Sequence, residues 1–144
     1  MVKTGLLVVG FALLLCACLG NRWYGAFAGT STVKANVNRS ASYAHSDSPE
    51  DKSDDVSLER EGKAAFLTFR GCRLRMDLQD ATHAIVSDGQ TCALVVDGYK
   101  TKMKMKGSAA FEANDTFTAE VSGVPTEAGI TGEYVWKFHG ARKP

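Results

Sequence analysis

Beyond the first twenty residues, hydrophobic and polar positions alternate with period two, in short blocks. Cys72, Leu74, Met76 and Leu78 alternate with Arg73, Arg75, Asp77 and Gln79. Tyr99, Thr101, Met103 and Met105 alternate with Lys100, Lys102, Lys104 and Lys106. Phe117, Ala119 and Val121 alternate with Thr118, Glu120 and Ser122, and Ile130, Tyr134, Trp136 and Phe138 share one face near the end of the chain. At the front, Trp23, Phe27, Val33 and Val37 lie on one face of a long first strand, bent at Gly25 and Gly29. Successive strand side chains point to opposite faces, so each block predicts a strand with one buried and one wet face. No block carries a sustained 3.6-residue apolar period with caps, so no long helix is expected after Cys18.

Glycines punctuate the blocks. Gly62, Gly71, Gly89, Gly98, Gly107, Gly123, Gly132 and Gly140 recur mostly at the spacing of one strand plus one turn, the rhythm of an antiparallel meander. Asp88-Gly89 and Asp97-Gly98 read as hairpin turns, and Ala113-Asn114-Asp115-Thr116 joins the strands that carry Phe111 and Phe117. The expected fold is all-β: an antiparallel meander of about eight strands over residues 23–144, forming a small barrel or a strongly curled sheet. Trp23, Phe66, Phe69, Met76, Met103, Phe111, Trp136 and Phe138 are the candidate fillers of its interior. Residues 39–55 hold five serines and five acids with one proline, and read as a flexible acidic surface loop.

The first twenty residues follow another pattern. Met1-Val2-Lys3 is a short positive segment, and Gly5 to Leu15 is an uninterrupted apolar run of eleven residues. A helix of that length is too short to cross ~30 Å of hydrocarbon, but suits the core of a secretory signal peptide. The run ends in Leu15-Cys16-Ala17-Cys18, which resembles the lipobox of bacterial lipoproteins: Leu15 at −3, small Ala17 at −1, and Cys18 as the lipid acceptor. That resemblance implies a helical signal peptide over 1–17, a lipidated Cys18, a short tether over 18–22, and anchoring of the barrel domain in the cell envelope. Leu19 in place of an aspartate implies the outer membrane in a Gram-negative host. Two alternatives stand beside it: cleavage at Ala26-Phe27-Ala28 to give a free secreted protein, and an uncleaved anchor over Gly5 to Gly20.

Composition narrows the function classes. The 144 residues (15.5 kDa) are 44% hydrophobic and 23% charged, which excludes a disordered chain and a polytopic membrane protein. Seventeen Lys and Arg against sixteen Asp and Glu exclude a strongly charged nucleic-acid binder. With Cys16 in the signal and Cys18 acylated, Cys72 and Cys92 remain, and an oxidising compartment favours a bridge between them. A full strand over His83 to Ser87 between the two cysteine strands would hold their Cα atoms ~9.6 Å apart, beyond bridging distance, so that strand must be short or displaced.

No nucleophile elbow, phosphate loop or zinc motif occurs, so no catalytic residue, metal site or cofactor is expected. His45, His83 and His139 lack ligand spacing, and Met76, Met103 and Met105 read as core filler. Asn38-Arg39-Ser40 and Asn114-Asp115-Thr116 match glycosylation sequons but read as turn residues. Lys100, Lys102, Lys104 and Lys106 form a ridge of one sign, with Arg73 and Arg75 placed near it. The ridge suits a solvated strand face, or contact with anionic headgroups or polysaccharide.

Gly20-Asn21-Arg22-Trp23 with Gly25, the closing aromatic strand and Arg142 resembles the calycin barrels. Lipocalins among them carry a first-strand Gly-x-Trp and a late basic residue that packs on it; the spacing here is Gly-x-x-Trp. The resemblance implies a barrel. The expected function is a non-catalytic binding module, for a small apolar or amphipathic ligand in the barrel mouth. The alternative is an interaction protein whose outer face meets another envelope component or an anionic surface. A filled barrel would favour the alternative, and a mouth of ~300 Å³ or more would favour the ligand.

Overall fold

The computed structural model describes residues 22–40, 43–46, 50–96 and 98–144. The signal segment, the lipobox and Cys18 lie outside the described residues. Ten antiparallel strands follow: β1 (Gly25–Ser40), β2 (Tyr43–Ser46), β3 (Glu50–Glu61), β4 (Ala64–Phe69), β5 (Cys72–Leu78), β6 (His83–Val86), β7 (Thr91–Val96), β8 (Tyr99–Phe111), β9 (Thr116–Pro125) and β10 (Thr131–Arg142). The chain is all-β and closes on itself. Around the ring run β1, β3, β4, β5, β6, β8, β9 and β10, and β10 pairs back onto β1 from Phe27↔Arg142 to Asn38↔Thr131. This closed eight-stranded barrel is compatible with a lipocalin-like one. Closure satisfies the backbone donors and acceptors that an open sheet would leave along its edges.

Two places in the ring are filled by broken strands. β6 and β7 both run antiparallel to β8, with Ile85 opposite Ser108 and Thr91 opposite Lys104. Six residues separate Ile85 from Thr91, but four separate their partners, so two extra residues loop out at Asp88-Gly89. The hairpin expected at Asp88-Gly89 is therefore an excursion within one strand position. β7 and β8 do form a hairpin, with Val96 facing Tyr99 and Gly98 in the turn; Asp97 lies outside the described residues. β2 and β3 likewise share one side of β1: Asn36 faces Ser46, and Val33 faces Glu50. Strand thus occupies much of the stretch 39–55 expected to be a loop: β1 runs to Ser40, β2 covers Tyr43–Ser46 and β3 begins at Glu50, because β1 extends far enough to pair with both.

The glycine rhythm splits into two kinds. Gly62, Gly71, Gly89 and Gly98 sit at turns or the excursion, whereas Gly107, Gly123, Gly132 and Gly140 lie inside β8, β9 and β10. These in-strand positions are sites of close approach. A Cβ on Gly107 would stand 2.3 Å from the carbonyl oxygen of Glu120 on the neighbouring strand, so only glycine lets the two backbones come this close.

The alternating blocks point inward as expected. Phe27, Leu58, Leu67, Leu74, Met76, Met103, Met105, Phe117, Tyr134 and Trp136 are all buried in one continuous core. Tyr99, in phase with the inward side of its block but 57% exposed at the start of β8, is one exception, and Phe66 is another. It lies on the outer face of β4, half-buried, with the Arg73 guanidinium 3.7 Å from its ring centroid. Ala65 and Leu67 take the inward positions on either side of it.

Candidate functional site

One end of the barrel carries the β3–β4 turn, the β5–β6 loop and the β8–β9 turn, and is stoppered by Trp23, just before β1. Trp23 is fully buried, edge-on to Phe111 at 4.8 Å and to Phe117 at 6.5 Å between centroids. Its Nε1 donates to the Ala81 carbonyl at 3.1 Å. The loop that presents this carbonyl is held by Asp80, whose Oδ1 accepts from the Thr82 N–H at 2.7 Å and the His83 N–H at 2.8 Å. The His83 ring Nδ1 lies 3.0 Å from both carboxylate oxygens. The Thr82 amide first, then the His83 ring, hold the Asp80 carboxyl down at about 2. These groups are exposed, and they lock a turn over Trp23; His83 is a turn partner here.

Arg142 packs at the same end, in phase with the inward residues of β10. Its Nη2 donates to the Arg22 carbonyl at 3.1 Å and its Nη1 to the Tyr24 carbonyl, so it grips the backbone on both sides of Trp23. Its guanidinium stands 4.9 Å from the Phe27 ring centroid. A late basic residue thus packs on the first-strand segment that carries the tryptophan.

Among the described residues, the inward-facing side chains pack into one continuous core. A void among Ser31, Asp54, Val56, Leu67, Phe69, Trp136 and Phe138 measures about 20 Å³, the room of a single water. On its rim, Asp54 accepts from Ser31 Oγ at 3.0 Å and from Arg70 Nε at 3.0 Å. A larger concavity of about 480 Å³ is open and lies on the outer wall, over His83, Ile85, Ser108, Ala110, Glu120 and Lys137.

Cys72 and Cys92 are bridged, with Cα atoms 5.8 Å apart. The strand between them is short, His83–Val86, as a bridge requires, and does not separate them. Because β6 and β7 occupy one strand position, Cys92 falls directly beside Cys72 on the neighbouring strand, and the two-residue excursion sets that register.

The charged side chains sort by wall. Lys100, Lys102, Lys104 and Lys106 all project outward from β8 and are exposed, as the alternation predicts. Arg73 and Arg75 project outward from β5 but do not join the ridge. Arg73 Nη2 lies 3.0 Å from carboxylate oxygens of both Glu59 and Glu61 on β3, and the Glu59 hydrogen bond is the main cause of its raised pKa. Arg75 lies 3.8 Å from Asp77 on its own strand. Sequence alternation gives the facing of these arginines but not their partners, because the pairing of β3 with β4 is long-range information. Alternation also gives no hint that Val95, Tyr99 and Val124, at 65%, 57% and 44% exposure, cluster around the lysine ridge. Among the described residues, no three His, Cys, Asp or Glu side chains come together as a metal site. Neither protein-family models nor curated protein sequences match this chain.

Proposed function

We propose that the chain is an envelope lipoprotein whose barrel is a non-catalytic interaction domain, anchored through lipidated Cys18 and meeting its partner with its outer face. The observation that carries this reading is the filled interior. A void of about 20 Å³ falls far short of the ~300 Å³ at which small-ligand pockets begin, so the mouth-bound apolar ligand is the weaker of the two expectations. The outer-wall concavity of about 480 Å³ adds to the surface open to a partner.

Burial of Trp23 and Phe27 supports processing before Cys18 over the Ala26-Phe27-Ala28 site. Cutting after Ala28 would remove the stopper of the barrel and the first four residues of β1. Leu19 favours the outer membrane in a Gram-negative host. The anchor is tested by metabolic palmitate labelling of the chain in a bacterial host. Label is expected to persist in Cys16→Ala and vanish in Cys18→Ala; label retained in Cys18→Ala would overturn the anchor.

A further inference from the structure

The lysine ridge stands opposite the most acidic wall of the barrel. In the ring order β1, β3, β4, β5, β6, β8, β9, β10, strands β3 and β8 are four places apart, on opposite sides. The two walls differ in how their charges are satisfied. On the β3 side, Glu59 and Glu61 hold Arg73, Asp54 holds Arg70, and Asp55 lies 2.9 Å from Lys143. On β8, none of the four lysine ammonium groups has a carboxylate within 4.0 Å among the described residues. Of two acids near the ridge, Glu120 pairs with Lys137 at 3.2 Å, and Glu127 lies beside Lys102, accepting from its backbone N–H at 3.3 Å. Among the described residues, this wall therefore presents four lysine ammonium groups with no direct carboxylate partner.

Alternate strand residues stand ~6.8 Å apart, so neighbouring lysines repel within a Debye length of ~8 Å. An anionic plane supplies the missing counter-charge to all four at once. The flanks of the ridge say which kind of plane. Val95 on β7 lies directly opposite Lys100, Val124 on β9 directly opposite Lys104, and Tyr99 opens β8 at the hairpin. Val95 and Val124 are exposed on either side of the cations, and Tyr99 is exposed at the hairpin end of the ridge. A hydrated polysaccharide gives them nothing to bury against; a bilayer interface takes valine and tyrosine below the headgroups while lysines stay among the phosphates.

We propose that the β7–β8–β9 wall docks side-on against an anionic lipid bilayer, with Lys100, Lys102, Lys104 and Lys106 at the headgroups and Val95, Tyr99 and Val124 in the interface. This rests on the interaction-domain reading and names its partner. Trp23, where the chain leaves the barrel toward Cys18, is at the other end from Tyr99, so a tether there and the wall along the side would hold the barrel lying down.

The test places an indole at the contact. Full-length chain carrying Tyr99→Trp is bound to vesicles of phosphatidylcholine with or without phosphatidylglycerol, the phosphatidylcholine brominated to quench indoles at the interface. Native Trp23 and Trp136 are buried and give the background. Strong quenching is expected on the anionic vesicles at low salt. It should fall to the neutral-vesicle level at high salt, and also when all four lysines are replaced by serine. Equal quenching on neutral vesicles, or none on anionic ones, overturns the docking wall. Absence of quenching with lysine-dependent retention on an anionic polysaccharide matrix overturns the bilayer as partner. Palmitate label retained in Cys18→Ala would remove the anchor but leave this quenching pattern standing, so the two failures are distinguishable.

Discussion

Trp23→Ala is expected to lower the stability of the barrel by about 3–5 kcal/mol, the largest loss from any single truncation. The ring is fully buried and meets Phe111 and Phe117 edge-on, geometry that adds roughly 0.5–1.5 kcal/mol per pair beyond area burial. Its removal also leaves the Ala81 carbonyl without its donor and opens one end of the barrel to water. Trp23→Phe keeps most of the ring contact and loses only the N–H, so its cost should be about half as large or less. Urea denaturation reads both as shifts in midpoint at constant slope. A loss below ~1 kcal/mol for Trp23→Ala would mean that the stopper contributes little to the fold.

The second large effect belongs to the disulfide. Replacing Cys72 and Cys92 together by serine should cost about 2–5 kcal/mol, since the bridge closes a sequence separation of 20 residues. It also acts locally. β5 pairs with β6 through Met76 to Leu78, and the last backbone bond toward the cysteines runs from Ser87 N–H to Arg75 O. Beyond it, the bridge itself is the principal link between β5 and β7. The serine double variant is therefore expected to show faster amide exchange at Cys72–Leu74 and Thr91–Leu94 than in β9 and β10. Uniformly accelerated exchange with the same midpoint would contradict this role.

Which parts of this fold were legible follows from range. Inward and outward facing needs only period two, and it placed Leu74, Met76, Met103, Met105, Phe117 and Trp136 correctly. Closure was expected because nearly every block had one dry face, and about eight such strands can close into a barrel that leaves no unpaired edge. Three features were not. A turn glycine and a close-approach glycine look alike in sequence, so Gly107 read as a turn although it sits mid-strand against Glu120. Asp88-Gly89 read as a hairpin because its neighbours alternate; that the chain continues in the same direction depends on β8, which follows it. Phe66 read as core from its hydrophobicity, but alternation within Ala65-Phe66-Leu67 gives the inside to its neighbours and leaves Phe66 under Arg73.

The candidate surface was half legible. The four lysines follow from alternation alone. Their lack of carboxylate partners and their apolar flanks depend on β7 and β9 lying to either side, and Arg73 left the group because β3 brings it Glu59 and Glu61.

The central claim is that this barrel works from its outside, its interior being filled by its own side chains. Native mass spectrometry of the purified full-length chain tests it most directly. The account predicts the polypeptide mass plus covalent modifications, with no ligand retained on gentle desorption. A one-to-one complex with a small apolar molecule, released only on unfolding, would contradict it.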